Sequence, residues 1–332
     1  MTLVGLAITF LTIGILVVEF LRRRQTKLAA YGWAGLIGLI AAELLMFRGV
    51  QPVAIYFTPI AWTCYILLAD AAVLAVRGYS RLHDEPGQFA WLALLSVPLW
   101  LIFEAYNLRL QNWTYTGVPP AWPLALLGYG WSFATITPGI FETADLIESF
   151  GWFRPATPVR FSKAVQRGMI IFGAICLLLP VVTRQIVAAR LFFLVWIGFV
   201  FLLDAVNYRL GLPSLICDLA QGHRSRVFSL LASGFVCGWL WEFWNYWAAA
   251  KWHYIFPMFQ EWKIFEMPIP GYLGFLPFAL ECFVMYVTAA RLLRLRPSES
   301  GSLTEMNAQL TADCEAPSLR TKPIPENRGA RN

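Results

Sequence analysis

Nine stretches of this chain are almost continuously apolar, near residues 3–20, 28–47, 52–76, 89–110, 123–147, 169–189, 191–212, 227–249 and 270–292, with polar and basic residues gathered between them. A helix rises about 1.5 Å per residue and the hydrocarbon core of a bilayer is about 30 Å thick, so each stretch can cross a membrane or nearly so. The pattern predicts an all-α, polytopic integral membrane protein of about nine transmembrane helices. The first stretch lacks a basic leading segment and a small-residue cleavage site, and Arg22, Arg23, Arg24 and Lys27 follow it, which predicts a retained helix rather than a signal peptide. On that assignment sixteen Lys and Arg stand at inner ends and six at outer ends. This asymmetry predicts an N-terminus outside and a C-terminus in the cytoplasm, in the cell's inner membrane.

The polar residues inside the stretches recur. Glu104, Asn107, Trp113, Tyr115, Pro138 and Glu142 are followed, 138 or 139 residues later, by Glu242, Asn245, Trp252, Tyr254, Pro277 and Glu281. Trp62 and Asp70 likewise precede Trp196 and Asp204 by 134 residues. Self-similarity at a fixed offset reads as an internal duplication. It divides the chain into two additional N-terminal helices over 1–51, a three-helix repeat over 52–147, a basic loop and connecting helix over 148–190, a second three-helix repeat over 191–292, and a tail over 293–332. Four helices separate equivalent positions, so the two copies run in the same direction across the membrane, a parallel repeat. The tail, rich in Ser, Pro, Glu, Asn and Arg, is expected to be disordered and cytoplasmic.

Composition agrees: 58% of residues are hydrophobic, 14% charged, and the mean hydropathy is +0.58. Fifteen Trp exceed what two interfacial belts ordinarily need, which points some of them at an interior cavity. Three scattered His are too few for a histidine-rich iron site, and the six Cys, five of them in or beside apolar segments, are expected as small core residues. The net charge of +6 comes from loop and tail residues and forms no basic stripe, so no nucleic-acid partner is implied, and the scarcity of His implies no redox metal.

A charge at membrane depth costs roughly 2.5–3.5 kcal/mol on insertion scales, so Glu104, Glu142, Glu242 and Glu281 are the candidate catalytic acids. Asn107 and Asn245, three residues after a Glu on the same helical face, are candidates to orient those carboxylates. Pro138 and Pro277, four residues before an acid, are expected to weaken the helix there and bend the acid inward. A neutral carboxyl in an apolar cavity is a general acid, and aromatic faces stabilise a cation by roughly 0.5–2 kcal/mol each. Trp241, Trp244, Trp247, Trp252, Tyr254, Trp113 and Tyr115 are the candidate walls, the Trp-x-Tyr pairs being interfacial anchors on the plainer reading. Intramembrane carboxylates also lock helices without any chemistry. That reading suits Asp70 and Asp204, which lie near the inner ends of their helices within reach of Arg77 or Arg209, and leaves Glu43 structural or unassigned. Counting helical rise places Glu242 about 22 Å and Glu281 about 16 Å from the inner side, near enough to share a cavity; Glu104 and Glu142 come to about 22 and 8 Å.

Leu67-Leu68-Ala69-Asp70 and Leu202-Leu203-Asp204, then Phe103-Glu104 and Trp241-Glu242, then Pro138-x-x-x-Glu142 and Pro277-x-x-x-Glu281 resemble the motifs of the membrane-embedded lycopene cyclase domain family. That family joins two three-helix repeats, each with a Leu-Leu-Asp, a Trp-Asp and a Pro-x-Glu-Glu element. The resemblance covers roughly residues 52–292. It implies cofactor-independent, acid-initiated cyclisation of a carotenoid or other isoprenoid taken from the bilayer, with Glu142 and Glu281 at the positions of the family's Pro-motif acids and Glu104 and Glu242 at those of its Trp-Asp acids. The matching depths make the second repeat the expected working half, with Glu281 the leading acid and Glu242 its electrostatic partner. Here a single acid stands four residues after the Pro, where the family has an adjacent pair, and the first two helices lie outside the pattern. A proton- or cation-coupled transporter using the same carboxylates and a non-catalytic membrane scaffold are the rival expectations, and self-association is left open.

Overall fold

In the computed structural model, which describes residues 1–295, helices form over all nine apolar stretches. In chain order they are α1 (Thr2–Arg23), α2 (Ala30–Phe47), α3 (Phe57–Arg77), the short α4 (Arg81–Asp84), α5 (Pro86–Leu110), α6 (Trp122–Ala134), α7 (Ile136–Ser149), α8 (Lys163–Val182), the short α9 (Gln185–Ala188), α10 (Phe192–Arg209), the short α11 (Leu215–Ala220), α12 (Ser225–Trp247) and α13 (Phe275–Leu292). Among the described residues, nine helical spans are long and apolar enough to cross a membrane, α6 with α7 forming one and α13 with the 3₁₀ turn Ile269–Gly274 another. The tail expected over 293–332 lies, from residue 296 on, outside the described residues.

The all-α expectation holds for the spans; outside them lie two small ribbons. Strand β1 (Trp113–Thr116) pairs antiparallel with β2 (Lys251–Tyr254), and β3 (Lys263–Ile264) with β4 (Met267–Pro268). In the first ribbon Thr114 faces His253, with Trp113 opposite Tyr254 and Tyr115 opposite Trp252. Gly117 holds φ at +70°, and a side chain there would strike the Ala249 carbonyl, so glycine admits the chain that leaves β1 to pass under the start of β2.

Two features of the spans depart from expectation. The sixth helix starts at Lys163, ahead of the predicted 169, because the Ser162 hydroxyl accepts the Val165 N–H at 3.2 Å and caps it. Neither Pro138 nor Pro277 weakens a helix in mid-course. Each is the third residue of a helix that begins afresh, after Thr135 in one case and after the 3₁₀ turn in the other. The first four N–H groups of a helix have no partner within it, so proline sits there without losing a bond.

The core is built where α7, α12 and α13 pack on one another, with α3, α5 and α10 around them, α2 against α3, α8 against α10 and α1 against α12. Within its apolar window α12 is 67% buried and α1 only 11%, which makes α1 a peripheral helix. Asp70 and Asp204 are buried, and their partners are main-chain amides, joined at Asp70 by two hydroxyls, rather than Arg77 or Arg209. Asp70 accepts from Leu82 N at 2.8 Å, Ser80 Oγ at 2.8 Å and Tyr31 OH at 2.5 Å. Asp204 accepts from Leu215 N at 2.7 Å and Ile216 N at 2.9 Å. Each ties its helix to the short helix that follows. Arg77 and Arg81 instead reach Asp145 on α7, at 3.1 and 2.7 Å, while Arg209 donates to Gln166 at 3.1 Å. Breaking a buried ion pair costs about 3–5 kcal/mol because the surviving charge keeps its desolvation penalty. Asp145→Ala is therefore expected to lower the melting temperature and folded yield far more than Glu19→Ala, whose Arg partners are exposed, as read by a fluorescence-detected thermal melt in detergent.

Candidate functional site

The β1–β2 ribbon is held from below by two asparagines. Asn245, near the end of α12, donates from Nδ2 to the Trp252 carbonyl at 2.9 Å and accepts the Trp252 N–H on Oδ1 at 2.9 Å. Asn107, near the end of α5, donates to the Trp113 carbonyl at 2.9 Å and accepts the N–H groups of Asn112 at 2.8 Å and Trp113 at 3.2 Å. A carboxamide carries donors and an acceptor on one short stem, so it grips a strand's main chain as another strand would. These residues were expected to orient the neighbouring carboxylates; they orient the strands instead.

That grip brings the tyrosines of the ribbon onto the acids. Tyr254 OH donates to Glu242 Oε1 at 2.9 Å and accepts the Trp252 indole N–H at 3.0 Å. Tyr115 OH donates to Glu104 Oε1 at 2.5 Å, and the same oxygen receives the indole N–H groups of Trp100 at 2.8 Å and Trp113 at 3.2 Å. The two sites differ in burial. Glu242 is fully buried and its Oε2 has no hydrogen-bond partner, whereas Glu104 is half-buried. Burial and the adjacent carboxylate push the hydroxyls of Tyr254 and Tyr115 well above the ordinary tyrosine range, so both stay protonated at neutral pH.

Trp113, Tyr115, Trp252 and Tyr254 are not mere interfacial anchors: they line a cavity of about 160 Å³ beneath the ribbon. Its wall continues over Trp62 and Thr58 on α3, Trp100 on α5, Phe192 and Trp196 on α10, Trp241 on α12 and Phe278 on α13. The rings touch in sequence, Trp62 to Trp241 at 4.9 Å, Trp241 to Phe278 at 5.8 Å, Phe278 to Trp196 at 5.2 Å and to Trp100 at 5.8 Å between centroids. Such a floor presents π-faces and edges to whatever occupies the space.

The remaining candidates lie elsewhere. Trp244 donates its indole N–H to Glu43 at 3.1 Å, which joins α12 to α2 and gives Glu43 a structural partner. Trp247 packs edge-on against Phe47 and Tyr246. Neither is part of the cavity wall. Glu142 and Glu281 are fully buried, neither lines the cavity, and no oxygen of either makes a hydrogen bond. The predicted pairing of Glu242 with Glu281 in one cavity thus gives way to a pairing of Glu242 with Tyr254. Sequence reasoning passed over Trp100 as a site residue, although it stands four residues before Glu104 on one helical face. Trp62 and Trp196 were visible through their shared spacing alone. Among the described residues no group of three or more His, Cys, Asp or Glu is arranged to hold a metal ion.

No protein family, curated protein or solved structure matches this chain.

The raised Tyr254 hydroxyl has a measurable consequence. Its pKa lies above the free value of about 10, so the proton leaves only at higher pH. A difference titration near 295 nm between the native chain and Tyr254→Phe is expected to show no phenolate signal from Tyr254 around pH 10. In a Glu242→Gln background the residue should ionise at lower pH, since one raising charge is gone.

Proposed function

We propose that this protein is a membrane-embedded, cofactor-independent cyclase or isomerase of a lipophilic isoprenoid, a carotenoid or another terpenoid drawn from the bilayer. One observation carries the proposal: Tyr254, bonded to a buried carboxyl at 2.9 Å, forms part of an aromatic cavity wall. In the reaction the 2.9 Å contact is reversed: the neutral Glu242 carboxyl donates to the phenol oxygen while Tyr254 turns its own O–H to a double bond of the substrate and gives up that proton, forming a C–H bond and a carbocation as the carboxyl proton passes to the phenol oxygen. The Trp252 indole N–H, 3.0 Å from that oxygen, offsets negative charge developing on it. A second double bond attacks the cation and closes a ring. Loss of a neighbouring proton to the Glu242 carboxylate restores the acid and leaves an isomer of the starting compound. Trp62, Trp100, Trp196 and Trp241 supply the faces that stabilise the cation. Glu104 with Tyr115 forms a second proton-bearing pair on the same cavity.

The proposal includes the duplication. Residues 52–147 and 191–292 are taken as two copies related by a pseudo-two-fold axis along the membrane normal, N-terminus outside. Three matched features and the register of the ribbon support it. Asp70 and Asp204 cap the following short helix, Asn107 and Asn245 grip a following Trp, and Pro138 and Pro277 each open a helix. In the ribbon, Thr114 and His253, 139 apart, face each other, which is where a two-fold axis relating antiparallel strands must pass. The membrane-embedded lycopene cyclase resemblance fits this arrangement, with the leading acid moved from Glu281 to Glu242.

The test is expression in a host that accumulates linear isoprenoids, followed by mass-resolved chromatography of the lipids. A product of unchanged mass and altered retention is expected, reduced at least a hundredfold in Glu242→Gln and in Tyr254→Phe and less strongly in Glu281→Gln. Persistence of every linear precursor with the protein folded in the membrane removes the cyclase reading. Proton-dependent uptake into proteoliposomes, abolished by Glu242→Gln, would put a transporter in its place.

A further inference from the structure

Thr58 and Trp62 stand one turn apart on α3, and both line the cavity. Each is at least nine-tenths buried, and neither Thr58 Oγ1 nor Trp62 Nε1 has a hydrogen-bond partner. Within a helix a threonine out of full solvent can return its hydroxyl to the carbonyl four residues back, as buried Thr9 and Thr143 and half-buried Thr63 do here at 2.7–2.8 Å. Thr58, the second residue of α3, has Ala54 four residues back, ahead of the helix, and its hydroxyl is left without a partner while the Ala54 carbonyl receives the Ala249 N–H at 3.2 Å. A buried polar group left unpaired is costly enough that native proteins seldom leave two together.

The other wall is different in kind. Helix α10 reaches the cavity from its packing against α8 and α13, whereas α3 comes from α2, α7 and α6. Where α3 presents a hydroxyl and an indole N–H, α10 presents Phe192, stacked at 4.9 Å on Phe256, and Trp196, which is packed among Phe103 and Phe278. The α3 end of the cavity therefore offers an unpartnered hydroxyl and an unpartnered indole N–H, whereas toward α10 the wall carries rings and, at Asn112, which is tied to the Ala189 carbonyl at 3.0 Å and the Ile255 N–H at 2.8 Å, an unpartnered Oδ1 that can only accept.

We infer that the α3 end binds an oxygen atom of the ligand, so that the substrate class is an oxygenated isoprenoid, bearing a hydroxyl, ether or carbonyl oxygen at one end, and not a pure hydrocarbon. Trp62 Nε1 can only donate, and Thr58 can donate or accept, so a lone pair on that oxygen satisfies both. The hydrocarbon end then lies against Phe192, Phe256 and Trp196. The inference rests on the isoprenoid reading proposed above but concerns binding, and its test does not need turnover.

The full chain in nanodiscs is titrated with geranylgeraniol and with its deoxy hydrocarbon, identical but for hydrogen in place of the hydroxyl. Tryptophan fluorescence reports binding, corrected for partition into protein-free nanodiscs. The alcohol is expected to bind about three- to tenfold more tightly, the worth of one net hydrogen bond. Thr58→Val and Trp62→Phe should each bring the ratio of alcohol to hydrocarbon affinity to about one, whatever they do to the two affinities together, and Thr58→Ser should keep the native ratio. Thermal melts establish that each variant is folded. Equal affinities in the native chain, or a preference that survives both substitutions, overturn the inference and leave the cyclase reading standing. Failure of both probes to bind overturns the inference together with the isoprenoid reading.

Discussion

The contact on which the cavity depends is a side-chain amide bonded to a strand's main chain. Asn245 and Asn107 each end a long apolar helix and each grip the Trp of the strand that follows. Without them the first residue of the Trp113 strand and the second of the Lys251 strand would lose their main-chain ties to the helices before them, and a two-stranded ribbon is marginal in water. With them the ribbon becomes a roof, and the alternation of a strand turns Trp and Tyr at positions two apart toward the same side. Carboxyl, phenol and cavity come into line because one amide sets the height of the strand above its helix.

The same physics governs the opposite ends of the helices. Asp70 and Asp204 satisfy main-chain N–H groups of the next short helix, and Asp145 takes two arginines. These acids have their bonds filled and serve to hold the bundle. Glu242 keeps one oxygen free and shares the other with a hydroxyl in the cavity wall. Carboxylates of one sequence type thus divide by what surrounds them: amides and guanidinium groups where structure is needed, a titratable phenol and aromatic rings where chemistry is proposed.

Peripheral helices follow a different constraint. Helix α1, little buried, contacts α12 through Phe10 and Phe243, at 6.4 Å between rings, and its Glu19 bonds Arg22, Arg23 and the Trp152 indole at its end. Close helix pairs are made by small residues. Gly173 on α8 meets the backbone of α10 near Gly198 and Leu202, and a methyl group there would collide with it. The core is thereby thick around α7, α12 and α13, where the cavity needs a rigid floor, and thin outside it.

Hydropathy alone determined the nine spans, because burying main-chain polar groups in an apolar medium admits helices and little else. The spacing of Glu, Asn, Trp, Tyr and Pro was equally legible, since a repeated residue needs no coordinates to be seen. What each repeated residue touches was not. Asn245 shares a helical face with Glu242, and local geometry suggested that it would turn to the carboxylate. A strand arriving from beyond the helix offered it two main-chain bonds instead. Pro277 read as a break within a helix until the 3₁₀ turn before it made it a beginning. Glu281 and Glu242 looked equivalent by depth, and only the packing of Tyr254 against one of them separated the two. Period and hydropathy are properties of the chain, whereas hydrogen-bond partners are chosen among groups far apart in sequence, and those meet only when the tertiary structure brings them together.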